Sequence, residues 1–445
     1  MADSETIFAL STVPGRSAVA VLRLSGPAAG QALEALTGKG RPAPRRAALA
    51  RLADPRSETT IDHALVLWFP GPESFTGEDM AELQLHGGPT VVAAAVDALG
   101  ALDGLRPAEP GDFTRRAFHN GKLDLAEVEG LADLIAAETE AQRRQALRQL
   151  QGELGRLYDS WRERLLGALA HVEATIDFSD EDLPPGVDEA ARRTVGELES
   201  EIAGHLGDDR RGERLRDGVH LVIIGPPNAG KSSLLNLLAR RDAAIVAHTA
   251  GTTRDVIEVH LDLGGYPAVV ADTAGLRDGL DGVELEGVRR ARLRARDADL
   301  RLAVFDGEAW PRVDPLTAAL VDADTIVLIN KVDLGAPAPP LEVNGRPAMG
   351  ISVLTGAGIE AMLAALQAEV ARRCLVSASP ALTRARHREA LEECRQALGR
   401  SLAAQAPELA AEDLRLAARA LGRITGRLGV EDMLDVIFRD FCIGK

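Results

Sequence analysis

Gly225-Pro226-Pro227-Asn228-Ala229-Gly230-Lys231-Ser232 sets two glycines, a lysine and a serine at the spacing of a complete phosphate loop. The glycines let backbone N–H groups turn inward around phosphate oxygens, and a helix opening at the loop's end adds partial positive charge. Lys231 would reach the β- and γ-phosphates of a nucleotide, and Ser232 would hold Mg²⁺. Further along, Asn330-Lys331-Val332-Asp333 presents a carboxylate able to accept two hydrogen bonds, from guanine N1–H and N2–H₂. Adenine lacks that donor pair and would leave the Asp333 carboxylate unpaired; sites of this kind discriminate by factors on the order of 10⁴. Between the two lie Gly251-Thr252-Thr253-Arg254-Asp255 and Asp272-Thr273-Ala274-Gly275. A threonine hydroxyl of the first can complete the Mg²⁺ shell while γ-phosphate is present. Asp272 sits where a carboxylate supporting the Mg²⁺ shell belongs, and the Gly275 N–H can meet the γ-phosphate. Ser352-Val353-Leu354-Thr355-Gly356 is the candidate for a further guanine-contacting loop, with Val353 in place of the usual alanine.

The first four of these elements, in chain order, resemble the G domain of translation-factor-related GTPases. The residue after Asp272-Thr273-Ala274-Gly275 is Leu276, which cannot orient an attacking water as a glutamine does in Ras-like switches. Two residues can stand in. Glu284, at the start of the helical run Val283 to Arg296, could orient the water; it also reads as a plain helix N-terminal acid. Asn228 could coordinate a K⁺ that stabilises transition-state charge as an arginine finger does; it also reads as a turn former.

The positioning elements are legible around each motif. His220 to Ile224, Ala268 to Ala271 and Thr325 to Ile329 read as buried strands, and Ser233 to Leu238 as the helix after the phosphate loop. Residues 1–119 show short strand-like runs, such as Ala18 to Leu24 and Ala64 to Phe69, with a helix over Thr90 to Leu99: an α+β pattern. From Leu125 the period becomes helical, and apolar residues from Leu147 through Leu150, Leu154, Trp161 and Leu165 to Ile176 predict one long amphipathic helix. Charged residues 205–217 mark a boundary, and helical patterning returns after residue 371. The expected fold class is therefore multidomain α/β and α+β. An α+β domain covers 1–119, a discontinuous helical domain covers 120–216 and 372–445, and a Ras-like G domain with a mostly parallel sheet is inserted at 217–371.

The 445 residues allow two to four domains, and 46% hydrophobic content describes a globular chain. Three cysteines are too few for a disulfide framework and lack metal-type spacing, which favours a reducing, cytoplasmic setting. No apolar run matches a membrane span, and the acidic start is unlike a signal or transit peptide. A net charge of −16 argues against broad non-specific nucleic-acid binding, although a local basic face is compatible with it. The densest basic run, Arg289 to Arg296, reads as a solvated helix face.

Several further motifs extend the pattern to nearly the whole chain. They are Pro14-Gly15-Arg16, Ser74-Phe75-Thr76-Gly77-Glu78-Asp79, His86-Gly87-Gly88-Pro89, Pro110 to Phe118, Gly121-Lys122-Leu123-Asp124-Leu125 and the terminal Cys442-Ile443-Gly444-Lys445. With them the chain resembles the MnmE (TrmE) family of tRNA modification GTPases. That resemblance implies a homodimer joined through N-terminal domains that bind a tetrahydrofolate derivative (5-formyl- or 5,10-methylene-) as one-carbon donor. It implies a heterotetramer with an FAD-containing MnmG-type partner, which modifies C5 of wobble uridine U34 in certain tRNAs. K⁺ would promote pairing of G domains. Carried onto this sequence, the folate contacts would be Arg23, Glu82, Lys122 and Lys445. The K⁺ ligands would be Asn228, Ala247, Thr249 and Thr252, and Mg²⁺ would be held by Ser232 and Thr253. GTP would be contacted by Asn228, Ala229, Gly230, Lys231, Ser232 and Ser233, and by the segment Ala247, His248, Thr249, Ala250, Gly251, Thr252 and Thr253. It would also be contacted by Asp272, Thr273, Ala274, Gly275, Asn330, Lys331, Asp333 and Ser352. Glu284 would orient the water. Cys442 reads as a thiolate nucleophile or as a small apolar residue near the chain end. Two rivals stand beside this reading: a ribosome-assembly GTPase, for which no Gly-x-x-Gly loop or second G domain is visible, and a nucleotide-gated scaffold.

Overall fold

The computed structural model describes residues 5–177, 187–240, 244–245, 258–271, 298–335, 341–375, 380–427, 434, 437–439, 441 and 443–444. The chain divides into two compact units. One comprises Met1–Ala132, Gln149–Arg164 and Ala418–Lys445, the other Asp133–Arg148 and Leu165–Ala417.

The first unit is built on strands β1 (Thr6–Leu10), β2 (Ser17–Ser25), β3 (Ala48–Ala53), β4 (Thr60–Phe69), β5 (Met80–Gly87) and β6 (Leu105–Pro107), in the order β3-β4-β5-β2-β1-β6. All pairings are antiparallel except β1 with β6. The strands alternate: Ala64, Val66 and Trp68 are buried while Leu65 between them is exposed. That is the pattern of a sheet with one covered face. Residues of helices Ala29–Thr37 and Pro89–Gly100 pack into one core with Phe8, Leu22, Leu24, Leu83 and Leu85. In register on the other strand positions, Arg23 faces Glu82, Glu82 faces Leu67, and Leu49 faces Leu65. Leu49 and Leu65 are 71% and 42% exposed.

The second unit holds a sheet of β7 (Val219–Ile224), β8 (Ala244–Ile245), β9 (Glu258–Leu263), β10 (Tyr266–Ala271), β11 (Leu300–Asp306), β12 (Thr325–Asn330), β13 (Glu342–Val343) and β14 (Arg346–Gly350). Their order is β13-β14-β12-β11-β7-β10-β9-β8. The pairs β10–β7, β7–β11, β11–β12 and β12–β14 are parallel. Apart from His220, which is exposed, burial on both faces explains why residues 221–224 of β7 and 326–329 of β12 are continuous apolar runs rather than alternating ones. After β7 the chain adds β10 on one side and β11 on the other. The strand order reverses there, and in open α/β sheets ligands bind beyond the carboxyl ends of strands at such a point.

One sequence expectation needs correcting. The single helix expected through Leu147 to Ile176 is two, Glu140–Leu150 and Glu153–Asp177. Gly152 between them has φ +77°, a left-handed turn that ends the first helix. The step from Leu150 to Leu154 keeps helical spacing across the turn, so periodicity could not reveal the break. The charged boundary stretch also folds: Arg211–Asp217 is a helix whose Leu215 is buried in the same core as Val219 and Leu221. The expected helix Val283 to Arg296 lies outside the described residues. Among those described, no helix is long and apolar enough to cross a membrane.

Candidate functional site

The phosphate loop leaves the carboxyl end of β7 and runs into the helix Lys231–Ala239. Asn228 takes φ +62° and is exposed, a conformation that asparagine tolerates better than most L-residues. Gly230 takes φ +99°, and a Cβ there would stand 2.1 Å from Asn330 Nδ2. A side chain is excluded on both counts. Ala229 is fully buried, whereas Ser232 and Ser233 are exposed at the helix start. Lys231 Nζ donates to the carbonyls of Gly225 at 2.9 Å and Pro226 at 2.8 Å. Its ammonium is thus folded over the loop, where it can exchange carbonyl oxygens for phosphate oxygens. A helix N-terminus with no side-chain cap among the described residues, and this ammonium, fit a nucleotide's phosphates, and the Ser232 hydroxyl fits Mg²⁺.

Asn330, at the end of β12 and buried, joins this loop to the loop that begins at Ser352. Its Nδ2 donates to Ala229 O at 2.8 Å, and its Oδ1 accepts from Val353 N–H at 3.2 Å. Ser352, also buried, accepts at Oγ from Thr355 N–H at 3.1 Å and so shapes the following turn. Lys331 has φ +69°, and Asp333 lies exposed on the 3₁₀ turn Val332–Leu334. The Lys331 ammonium is bonded by the Asp306 carboxylate, which raises its pKa. Sequence reasoning missed Asp306; its place at the end of the apolar run Leu302 to Phe305, before Gly307, was the available signal.

In the first unit, Arg23 donates to Glu82 Oε1 at 3.1 Å through Nε and stands 3.0 Å from it through NH2. Both contacts fall on Oε1, and among the described residues Oε2 keeps capacity for another donor. The Arg23 guanidinium also lies 5.9 Å from the Phe113 ring centroid. The chain's tail reaches this pair. Gly444 O accepts from Ser11 Oγ at 3.0 Å and Arg23 NH1 at 3.4 Å, and Ile443 forms a β-bridge with Pro110. A Cβ on Gly444 would lie 2.6 Å from Leu10 O, so the tail sits directly on the backbone. Ser11 was not anticipated. Lys122 lies elsewhere, on the loop after helix Asp112–His119, with Nζ donating to Pro72 O at 3.1 Å. Arg23 and Glu82 are thus brought together with the tail, while the Lys122 ammonium is held by the Pro72 loop.

Ala247, His248, Thr249, Ala250, Gly251, Thr252, Thr253, Asp272, Thr273, Ala274, Gly275, Glu284, Cys442 and Lys445 lie outside the described residues. Cys374 and Cys394 are buried, which pushes both thiols up to about 12 and leaves them inert as nucleophiles. No group of three or more His, Cys, Asp or Glu side chains able to hold a metal occurs among the described residues.

Two family models match the chain: GTP-binding protein TrmE N-terminus over residues 6–122, and MnmE helical domain over residues 125–442. The tRNA modification GTPase MnmE of Paramagnetospirillum magneticum is 58% identical over 99% of this chain and 100% of that protein. The chain belongs to the MnmE (TrmE) family of tRNA modification GTPases. The Parvibaculum lavamentivorans protein of the same name is 58% identical over 99% of this chain and 100% of its own length. A human relative, the mitochondrial 5-taurinomethyluridine-[tRNA] synthase subunit GTPB3, is 53% identical over 99% of this chain and 93% of that one. This family member is accordingly a GTPase, and Gly225 to Ser232 with Asn330 to Asp333 is the part of it whose geometry suits a guanine nucleotide. The helical-domain model runs on both sides of that module, from residue 125 to residue 442.

Proposed function

We propose that this chain hydrolyses GTP at the loop Asn228 to Ser233 and uses the cycle to drive modification of C5 of wobble uridine U34 in tRNA, in the cytoplasm, together with an FAD-containing MnmG-type partner. The observation that carries the reading is the seat of the tail on the first unit: Gly444 O is bonded by both Ser11 and Arg23, and Arg23 is paired with Glu82. Ile443 and Gly444 of the tail thus lie beside a paired carboxylate and guanidinium. An Arg and a Lys suit the carboxylates of a folate, and the spare Oε2 of Glu82 suits the N–H donors of its pterin ring. A tetrahydrofolate there would supply the one-carbon unit. This chain's residues would bind and orient it, and Cys442 would be the candidate nucleophile. Lys122, bonded to the Pro72 carbonyl, would be a peripheral contact.

In the nucleotide module Ser232 and Thr253 would hold Mg²⁺, and Asn228 with Ala247, Thr249 and Thr252 would hold K⁺, which would offset negative charge on the phosphates. Asp333 would read the guanine edge, Ser352 would support the loop beside it, and Glu284 would orient the water that Leu276 cannot. The domain limits proposed are 1–119, 120–216 with 372–445, and 217–371. A homodimer through the first domain accords with the exposed Leu49 and Leu65 on the sheet face that also bears Arg23 and Glu82.

The test is mass spectrometry of wobble nucleosides from cells whose own copy is replaced by a chain lacking Cys442 to Lys445. Modification should be lost while GTP binding by the purified variant stays near native, because the phosphate loop lies in the other unit. Full modification by the truncated chain would show that the tail is dispensable and would remove the reading's main support.

A further inference from the structure

Asp306 ends β11, in register with Asn330, the residue that ends β12. Its Oδ2 lies 2.6 Å from Lys331 Nζ, and Glu308 Oε2 stands 3.6 Å from the same nitrogen. The backbones are joined as well, Gly307 N–H donating to Asn330 O at 2.8 Å. Lys331 itself has φ +69°, so its side chain leaves the loop from a left-handed residue. The Asp306 and Lys331 side chains are only 20% and 28% exposed, so water and salt screen the pair less than a surface bridge.

A lysine side chain has four flexible carbons and much rotamer freedom, and a loop lysine without a tether would spread over many conformers. Binding any ligand against it would then carry the entropy of ordering it. A short charge-assisted bond to a strand-end carboxylate removes that freedom before the ligand arrives.

We infer that Asp306 is a positioning residue for the purine: it tethers the Lys331 ammonium to the end of β11, so that the lysine stem stands ready as a fixed wall of the base pocket on the loop that carries Asp333. The inference rests on the reading of Asn330 to Asp333 as the guanine loop. Asp306 touches Lys331 rather than the nucleotide, and Glu308 is a weaker second anchor for the same charge. The ligand affected is the base of a guanine nucleotide. The phosphates, gripped by the loop after β7, are not.

The experiment compares GDP with inorganic triphosphate, which has no base, by calorimetry on the full chain. Asp306→Asn should weaken GDP about tenfold, the loss of one charge-assisted bond, and speed GDP dissociation to match. Triphosphate affinity should not change. Asp306→Glu should restore part of the GDP affinity, and Asp306→Asn should add nothing to Lys331→Met. Equal weakening for GDP and triphosphate would mean general damage to the module and would overturn the inference. So would unchanged GDP affinity, or additive losses in the double variant. Asp333→Asn run in parallel separates the two levels: a switch of preference from guanosine to xanthosine nucleotides upholds the guanine loop whatever Asp306 does. Retained guanine preference in that variant defeats the loop assignment, and the role of Asp306 with it.

Discussion

Replacing Asn330 by aspartate changes one NH₂ to one oxygen and nothing in size, yet it should be worse for the nucleotide module than removing the side chain. Asn330 is 4% exposed and uses both ends of its carboxamide, Nδ2 toward Ala229 O at 2.8 Å and Oδ1 from Val353 N–H at 3.2 Å. In Asn330→Ala both bonds are lost, and two backbone groups lose their partner. At roughly 1–3 kcal/mol for each buried group left unsatisfied, the cost is about 2–6 kcal/mol. In Asn330→Asp the bond from Val353 survives, but a carboxylate oxygen then faces the Ala229 carbonyl in a buried site. Repulsion and charge burial add to the loss of that bond and exceed what the Val353 contact recovers. The carboxyl escapes by taking a proton, and its O–H can then donate to Ala229 O. The Asp variant should therefore bind GDP more weakly than the Ala variant at pH 8 and recover relative to it toward pH 5. Calorimetric GDP titrations at both pH values, each normalised to the native chain, measure this. Thermal unfolding without nucleotide separates stability from affinity. Native-like GDP binding by Asn330→Asp at pH 8 would refute the account, because Asn330 would then not register the phosphate loop against the base loop.

The remaining predictions concern the cation and pH. GTP turnover should be much faster in K⁺ than in Na⁺, and Asn228→Ala, at an exposed φ +62° residue whose carboxamide can reach an ion, should erase the difference; equal native rates in both salts would end the monovalent-cation proposal. Burial pushes the His205 imidazole from 6.5 down to about 4, with Asp208 opposing and Arg388 and His387 reinforcing the shift. Because the folded value lies below the unfolded one, His205 costs nothing above pH ~6.5, and stability is lost as pH falls from there toward ~4, by about 3 kcal/mol at most. Urea unfolding at pH 7.5 and 4.5 should show a shallower acid loss in His205→Gln than in the native chain, and parallel losses would show that His205 does not set the slope.

The nucleotide chemistry was legible in the chain because its parts are local. A phosphate loop is a backbone turn between a strand and a helix, so glycine at Gly230 and an apolar run before it state the geometry directly. The Asn330 to Asp333 turn is local in the same way, and the apolar runs of β7 and β12 announced strands buried on both faces. Partnerships between segments distant in sequence are a different matter. Asn330 with Ala229, Lys331 with Asp306, and Ser11 with Gly444 join residues that no period or spacing relates. They exist because the strand order brings the ends of β7, β11 and β12 side by side, and because the tail closes against β1 and β2. The turn at Gly152 escaped for the opposite reason: its apolar neighbours keep helical spacing whether or not the helix is broken. Sequence thus determined which side chains and turns were available, since those depend on each residue and its near neighbours. Only the tertiary structure decided which of them meet, since contact between remote segments is set by packing of whole sheets and helices and not by any property of the residues taken one stretch at a time.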